Sequence, residues 1–174
     1  TGKVLADSGG PFRKTVLLNV GLRDGIVDGW AVLDGLGYVG RIVGVGNKTS
    51  RVILLSDNAS RVAITIEPSG QKALLIGDNT FTPTIEFLEN PDLVKPGDRI
   101  VTSGDGGVLP ADLLIGQVVK DTKGRLRARV SADMERLEFL RVIRHSPLDV
   151  SDVDGDLVGL PLEIDAVPVD DAGQ

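Results

Sequence analysis

Short runs of β-branched and other aliphatic residues, separated by glycine and proline, are the feature that most limits how this chain can fold. The 174 residues include 22 glycines and 9 prolines. Both residues are unfavourable inside a helix and common in the turns between strands. Residues 61–67 alternate polar and apolar side chains, which is typical of a half-buried strand. Residues 133–140 fit a helix, but residues 137–143 also fit a strand, and their β surroundings favour the strand. The sequence therefore predicts an all-β fold.

A weak internal repeat divides this β structure in two. Residues 27–43 and 94–119 each contain a glycine turn, a strand, a glycine-rich loop and a second strand that opens with apolar-Gly-polar-apolar-Val. Two copies of one β unit predict two small β-barrels packed together, which would leave few strand edges exposed. We assign residues 1–75 to the first barrel and 76–146 to the second. Exchange of strands between the two barrels remains open.

The segment from Gly35 to Gly40 fits GxGxxG, the fingerprint of dinucleotide-binding proteins. That fingerprint holds a pyrophosphate only where its loop opens a helix. Residues 41–50 are instead β-branched and interrupted by two glycines, and each glycine would cost a helix about 1 kcal/mol. We therefore interpret residues 33–37 as a glycine-rich hairpin between two strands.

The acidity of the chain is concentrated at its end. Residues 147–174 contain eight of the 25 acids and no lysine or arginine, which leaves 17 acids against 19 basic residues in 1–146. Such a composition predicts an acidic, disordered tail, and the nearly neutral body indicates no nucleic-acid partner. Asp152, Asp154, Asp156 and Glu163 have the spacing of the acidic ligands in an EF-hand calcium loop. Leu157 occupies the position that requires glycine, so no metal site is predicted.

The sequence predicts no catalytic site and no cofactor. Residues 7–11, Asp-Ser-Gly-Gly-Pro, match the nucleophile segment of chymotrypsin-like serine proteases, but a serine nucleophile needs a base. The only histidine, His145, follows the last predicted strand, whereas in those proteases the histidine comes first. The absence of cysteine excludes thiol catalysis and cysteine-ligated zinc. The alternative kept open is a serine-hydrolase-like β-barrel protein, active or degenerate.

Two sets of residues are candidates for contact with a partner. Arg125, Arg127 and Arg129 share one face of a strand by its period of two. They would form either a site for phosphate or an acidic partner, or a solvated sheet face. Trp30 and Tyr38 flank the first hairpin, as core residues or as exposed anchors.

Two blocks of sequence form a pattern that is specific by its order and spacing. The first block comprises residues 11–15, 19–25, 29–32, 39–43 and 50–57, and the second comprises 94–104, 107–111 and 115–119. Together they resemble the periplasmic region of the rod shape-determining MreC family. The chain departs from the family pattern at Trp30, where a smaller or flexible apolar residue is usual, and from Pro147 onward.

The resemblance implies a non-enzymatic scaffold on the periplasmic face of the bacterial inner membrane, anchored by a single helix upstream of this fragment. It implies two barrels arranged as in chymotrypsin-like proteases, without their catalytic triad. The scaffold would organise and activate cell-wall elongation and so maintain rod shape. Its partners would be the rod-system penicillin-binding transpeptidase, RodA, MreD and indirectly MreB, together with further copies of itself as a homodimer or larger assembly. Trp30, Leu36 and Tyr38 are then the first interface candidates, followed by the arginine row.

Overall fold

Twelve β-strands make up the described part of the chain, which is residues 1–7 and 14–145 of a computed structural model. Three short 3₁₀ turns, Leu22–Asp24, Pro91–Leu93 and Asp105–Gly107, lie in the connections. The predicted acidic tail and Ser8 lie outside the described residues. The strands are β1 Gly2–Asp7, β2 Thr15–Leu18, β3 Ala31–Leu33, β4 Tyr38–Val45, β5 Ser50–Leu54, β6 Arg61–Glu67, β7 Gln71–Ile76, β8 Thr84–Glu86, β9 Arg99–Thr102, β10 Leu114–Lys120, β11 Leu126–Val130 and β12 Phe139–Ile143.

The strands form two closed antiparallel barrels of six strands each, as the sequence predicts. The first barrel has the order β1-β12-β3-β4-β5-β2 and the second has the order β10-β11-β8-β7-β6-β9. The boundary that the sequence suggested at residue 75 falls inside β7, so β6 and β7 belong to the second barrel. Strand β12 crosses back to close the first barrel, pairing with both β1 and β3. The second barrel is therefore a continuous segment inserted between β5 and β12. No helix in the described ranges has the length and apolar character to cross a bilayer.

The GxGxxG segment is a hairpin, which confirms the interpretation from sequence. Strands β3 and β4 pair antiparallel, with Val32 opposite Gly40. The turn between them is closed by a hydrogen bond from the Asp34 amide to the Gly37 carbonyl (3.1 Å). The chain thus continues as a strand where a dinucleotide site would need a helix.

One hydrophobic cluster belongs to both barrels. Strand β6 buries alternate residues, Val62, Ile64 and Ile66, inside the second barrel. The same cluster takes in Ala31 and Tyr38 from the first barrel. A separate cluster, which includes Val32, Ile42 and Leu140, fills the first barrel. The barrels are therefore joined by a continuous apolar interior and do not touch merely at their surfaces.

The internal repeat has a structural cause in two glycines. A Cβ atom on Gly40 in β4 would overlap the carbonyl oxygen of Ile53 in β5, and one on Gly116 in β10 would overlap that of Arg129 in β11. Each glycine lies at or beside a shift of pairing register, in β3–β4 and in β9–β10. Bulges and close backbone contacts of this kind let a short sheet coil tightly enough to close. The apolar-Gly-polar-apolar-Val pattern therefore marks the same kind of position in each barrel.

We expect Gly40→Ala to lower the free energy of unfolding by about 2 kcal/mol or more, because overpacking against a fixed backbone costs roughly 1–3 kcal/mol. Gly44→Ala is the matched control on the same strand, since its Cβ would meet only the Arg51 side chain at 3.9 Å. Urea unfolding followed by circular dichroism measures both. Equal losses for the two variants would contradict the proposed role of the close contact.

Candidate functional site

Tyr38 and Trp30 are core residues, which corrects their prediction as interface anchors. Tyr38 is 1% exposed and Trp30 is 8% exposed. Tyr38 opens β4 with its ring in the cluster shared by the two barrels. Burial raises the pKa of its phenol, and the nearby Arg41 charge opposes that shift only in part. The sequence alone does not decide whether these two aromatic side chains are buried or exposed, because an aromatic residue next to a glycine fits either orientation.

Trp30 also holds the end of the described chain. Its Nε1 donates a hydrogen bond to the His145 carbonyl (2.7 Å), and the Ala31 amide donates to His145 Nε2 (3.2 Å). A ring nitrogen that accepts this bond carries no proton, so the imidazole is neutral with its proton on Nδ1. Partial burial lowers the pKa of His145 accordingly. This histidine therefore supports the structure at Ala31.

Leu36 is the one residue of the first candidate set that lies on the surface, with 59% of it exposed. Asp34 fixes its turn, because Asp34 Oδ1 accepts hydrogen bonds from the Leu36 amide (2.7 Å) and the Gly37 amide (2.9 Å). The other carboxylate oxygen accepts from the Asp133 amide (2.9 Å), across to the connection between the second barrel and β12. Leu36 is therefore an apolar side chain held out on a rigid turn at the seam between the barrels.

A second exposed apolar group lies beside the same connection. Phe81 is 57% exposed and lines a hollow of about 190 Å³ together with Val130, Ala132 and Met134. Asp133, which is tied to the Leu36 turn, is part of this hollow. We call Leu36, Phe81, Val130 and Met134 the seam surface. No sequence pattern indicates Phe81, because it stands among threonines in a turn and belongs to no periodic series.

The arginine row is largely occupied by contacts within the chain. Arg127 donates to Asp78 (Nη1–Oδ2, 2.6 Å) and to Asp121 (Nε–Oδ2, 3.1 Å), and it also holds the Thr82 carbonyl (2.9 Å). Arg125 pairs with the same Asp121 carboxylate (2.9 Å). Arg129 is exposed and donates to the neutral Gln117 amide (2.8 Å). We name Arg127, Asp78 and Asp121 the β11 clip. It fastens the short strand β8, which pairs with β11 through Thr84 opposite Arg127.

Both carboxylates of the β11 clip have a lowered pKa. Burial would raise the pKa of Asp78, but hydrogen bonds from Thr80 and Arg127 outweigh it. The pKa of Asp121 lies well below its usual range, chiefly because the Arg125 amide donates to it, with further hydrogen bonds from the Arg127 and Arg125 side chains. Both carboxylates are therefore ionised across the physiological pH range, and both remain paired with Arg127.

The described residues assemble no catalytic or metal constellation. They contain no group of three or more histidine or acidic side chains placed to hold a metal ion. The ring nitrogen of His145 that would act as a base accepts the Ala31 amide. What the geometry of these residues offers is a two-barrel interaction module with a rigid, partly apolar surface at its seam.

The chain belongs to the MreC family. The family model described as rod shape-determining protein MreC, barrel core, matches residues 4–144. The cell shape-determining protein MreC of Cereibacter sphaeroides is 64% identical over 161 residues, which cover 92% of this chain and 54% of that protein. The corresponding protein of Caulobacter vibrioides is 43% identical over 141 residues, covering 81% of this chain and 41% of that protein. The chain thus spans about half the length of the curated relatives it matches.

The solved structures show the same architecture. The crystal structure of MreC from Pseudomonas aeruginosa has a TM-score of 0.75 and 25% identity, and the match covers 82% of this chain and 97% of that chain. The chain in a complex between penicillin-binding protein PBP2 and MreC from Helicobacter pylori has a TM-score of 0.59 and 16% identity, covering 83% of this chain and 96% of that one. At that identity, the second match supports the two-barrel fold alone.

The β11 clip predicts a specific response to acid. Because the folded pKa of each carboxylate is lowered, its contribution to stability is complete above about pH 4, the unfolded value, and is lost as pH falls through the lower folded value. We expect Arg127→Gln to lower the melting temperature at neutral pH and to flatten this acid dependence. Arg129→Gln, which removes an equal charge but no ion pair, is the control. An identical acid profile in both variants would contradict the assignment.

His145 predicts a second pH effect, at higher pH. Its lowered folded pKa means that its contribution is complete above about pH 6.5 and is lost as pH falls through the folded value, because the unfolded chain then binds the proton more readily. The free energy of unfolding should decline below about pH 6.5 in the natural chain and decline less in His145→Leu. As the chain has a single histidine, the difference between the two pH profiles isolates this group. Parallel pH profiles would show that protonation of His145 does not affect its hydrogen bond with the Ala31 amide.

Proposed function

We propose that this two-barrel domain is a non-enzymatic scaffold on the periplasmic face of the inner membrane. In this role it binds and activates a penicillin-binding transpeptidase of the cell-wall elongation machinery and so maintains rod shape. Support comes from membership of the MreC family over residues 4–144 and from the relatives described as cell shape-determining proteins. The complex of PBP2 with MreC from Helicobacter pylori is a precedent for the partner. RodA, MreD, indirect linkage to MreB and self-association belong to the same proposal.

The seam surface is the observation that best supports the proposed contact with a transpeptidase. Leu36 and Phe81 are exposed large apolar side chains, and the Asp34–Asp133 hydrogen bond ties the Leu36 turn to the hollow beside Phe81. Apolar anchors beside a hollow are the usual centre of a protein interface. A turn fixed by three hydrogen bonds loses little conformational freedom when a partner binds. This surface also includes groups from both barrels, so a partner bound there would contact both at once.

Activation would then follow from a difference in affinity. A scaffold can shift a transpeptidase between two conformations only as far as it binds one more tightly than the other. Because the barrels share one core cluster, the seam surface keeps one shape. It can therefore fit one conformation of the transpeptidase better than the other.

The test is binding of a purified periplasmic transpeptidase domain to this chain, measured by titration, with light scattering of each protein alone. We expect Leu36→Glu and Phe81→Glu each to weaken binding about tenfold or more, since a charge at an interface centre costs at least about 1.4 kcal/mol.

Two matched controls separate this surface from general effects of added charge. Leu22→Glu places a charge on an equally exposed leucine beside the β4–β5 turn, at the opposite end of β4 from Leu36. Phe87→Glu places a charge on an exposed phenylalanine that follows β8, whereas Phe81 precedes that strand. Saturable binding weakened equally by all four changes would place the contact elsewhere. Absence of binding would contradict the scaffold role of this domain taken alone.

A further inference from the structure

A cleft between the barrels presents two arginines that the proposed scaffold contact does not use. It has a volume of about 340 Å³ and is lined by Arg41 of β4, Arg61 of β6, the Gly104–Asp105 turn, and the aliphatic side chains of Val62, Leu74, Val108 and Leu109. The cleft therefore combines positive charge with apolar walls.

The positive charge of this cleft is not neutralised by its own acid. Asp105 is the acidic residue in the lining, and it is already paired with Lys72 (3.0 Å). Arg61 donates from Nη1 to the Asn58 and Ser60 carbonyls, which carry no formal charge. Arg41 is half-buried and has no carboxylate within ion-pair distance among the described residues. A partly buried guanidinium without a counter-charge favours an anionic ligand.

The described chain ends close to this cleft. The Ala31 amide donates to His145, and Ala31 lies opposite Arg41 in the β3–β4 pairing. Opposed residues in antiparallel strands have Cα atoms about 5 Å apart. Four further residues reach Asp149, and an extended chain covers up to about 14 Å in that number. The first acids beyond His145 are thus within reach of Arg41.

The residues beyond His145 combine acidic and aliphatic side chains, which complement the charge and the apolar walls of the cleft. Residues 149–157 alternate aspartate with aliphatic residues, as Asp149, Asp152, Asp154 and Asp156 among Val150, Val153 and Leu157. Residues 147–174 contain eight acids and no basic residue. Carboxylates could meet the two guanidinium groups while the valines cover the aliphatic walls. A solvated acidic tail has no need of such apolar residues.

We propose that the cleft lined by Arg41 and Arg61 is the docking site for the chain's own acidic segment, residues 147–174. Docked there, the segment would occupy the cleft, and an acidic segment of another protein would have to displace it. The inference does not depend on the scaffold function, because it rests on this chain's own charges.

The absence of cysteine allows a direct test in the whole chain. Ser151→Cys with a nitroxide label leaves every tail acid in place and broadens the amide signals of nearby residues in NMR spectra. We expect the amides of Arg41, Ala63 and residues 104–109 to lose most of their intensity at low salt. They should recover as salt rises from about 0.01 M to about 1 M, because the Debye length falls from about 30 Å to about 3 Å.

Charge-matched variants decide whether the cleft is responsible. Arg41→Gln with Arg61→Gln should abolish the broadening, whereas Arg51→Gln with Lys95→Gln removes the same charge outside the cleft and should preserve it. Amide signals that keep their dispersed positions show that each variant is folded. Broadening that is absent, that falls on other residues, or that survives loss of the two cleft arginines would overturn the proposal.

Discussion

The closure of two narrow barrels is the constraint on which the rest of this structure depends. A six-stranded barrel of short strands must coil strongly, and at several glycines neighbouring backbones come too close for any side chain. Gly40 and Gly116 meet that requirement in the two barrels. Closure pairs the strands around each ring, so the open edges that would invite uncontrolled strand addition are largely removed. Contact with partners is then left to side chains on turns and seams.

The shared core makes the pair of barrels a single rigid body for recognition. Tyr38 of the first barrel packs in the same buried cluster as the interior residues of the second. The Asp34 carboxylate links the Leu36 turn to the segment that leaves the second barrel. Neither barrel alone would present Leu36 and the hollow beside Phe81 in a fixed relation. The function proposed for this domain thus depends on the buried contact between the barrels as much as on the exposed residues of the seam surface.

Local patterns predicted the strands, the hairpin at residues 33–37 and the two-barrel class, because a period of two and glycine turns are local properties. The resemblance to the MreC family added what the residues alone could not give. The domain boundary at residue 75 was misplaced because alternation shows that β6 is a strand but does not say which sheet it joins. Arg127 looked available since its partner Asp78 lies 49 residues away. Phe81 went unnoticed because exposure of a turn residue depends on the neighbours that folding brings to it.

The pairing of β1 with β12 has a mechanical consequence. Gly2 lies opposite Leu140, so the incoming strand and the outgoing strand run side by side in opposite directions. A pull on the two ends of the domain would load these strands in the unzipping direction, where hydrogen bonds yield one pair at a time. The second barrel, inserted between β5 and β12, would carry no tension until that pair had separated. Under such a load, the first barrel would open before the second.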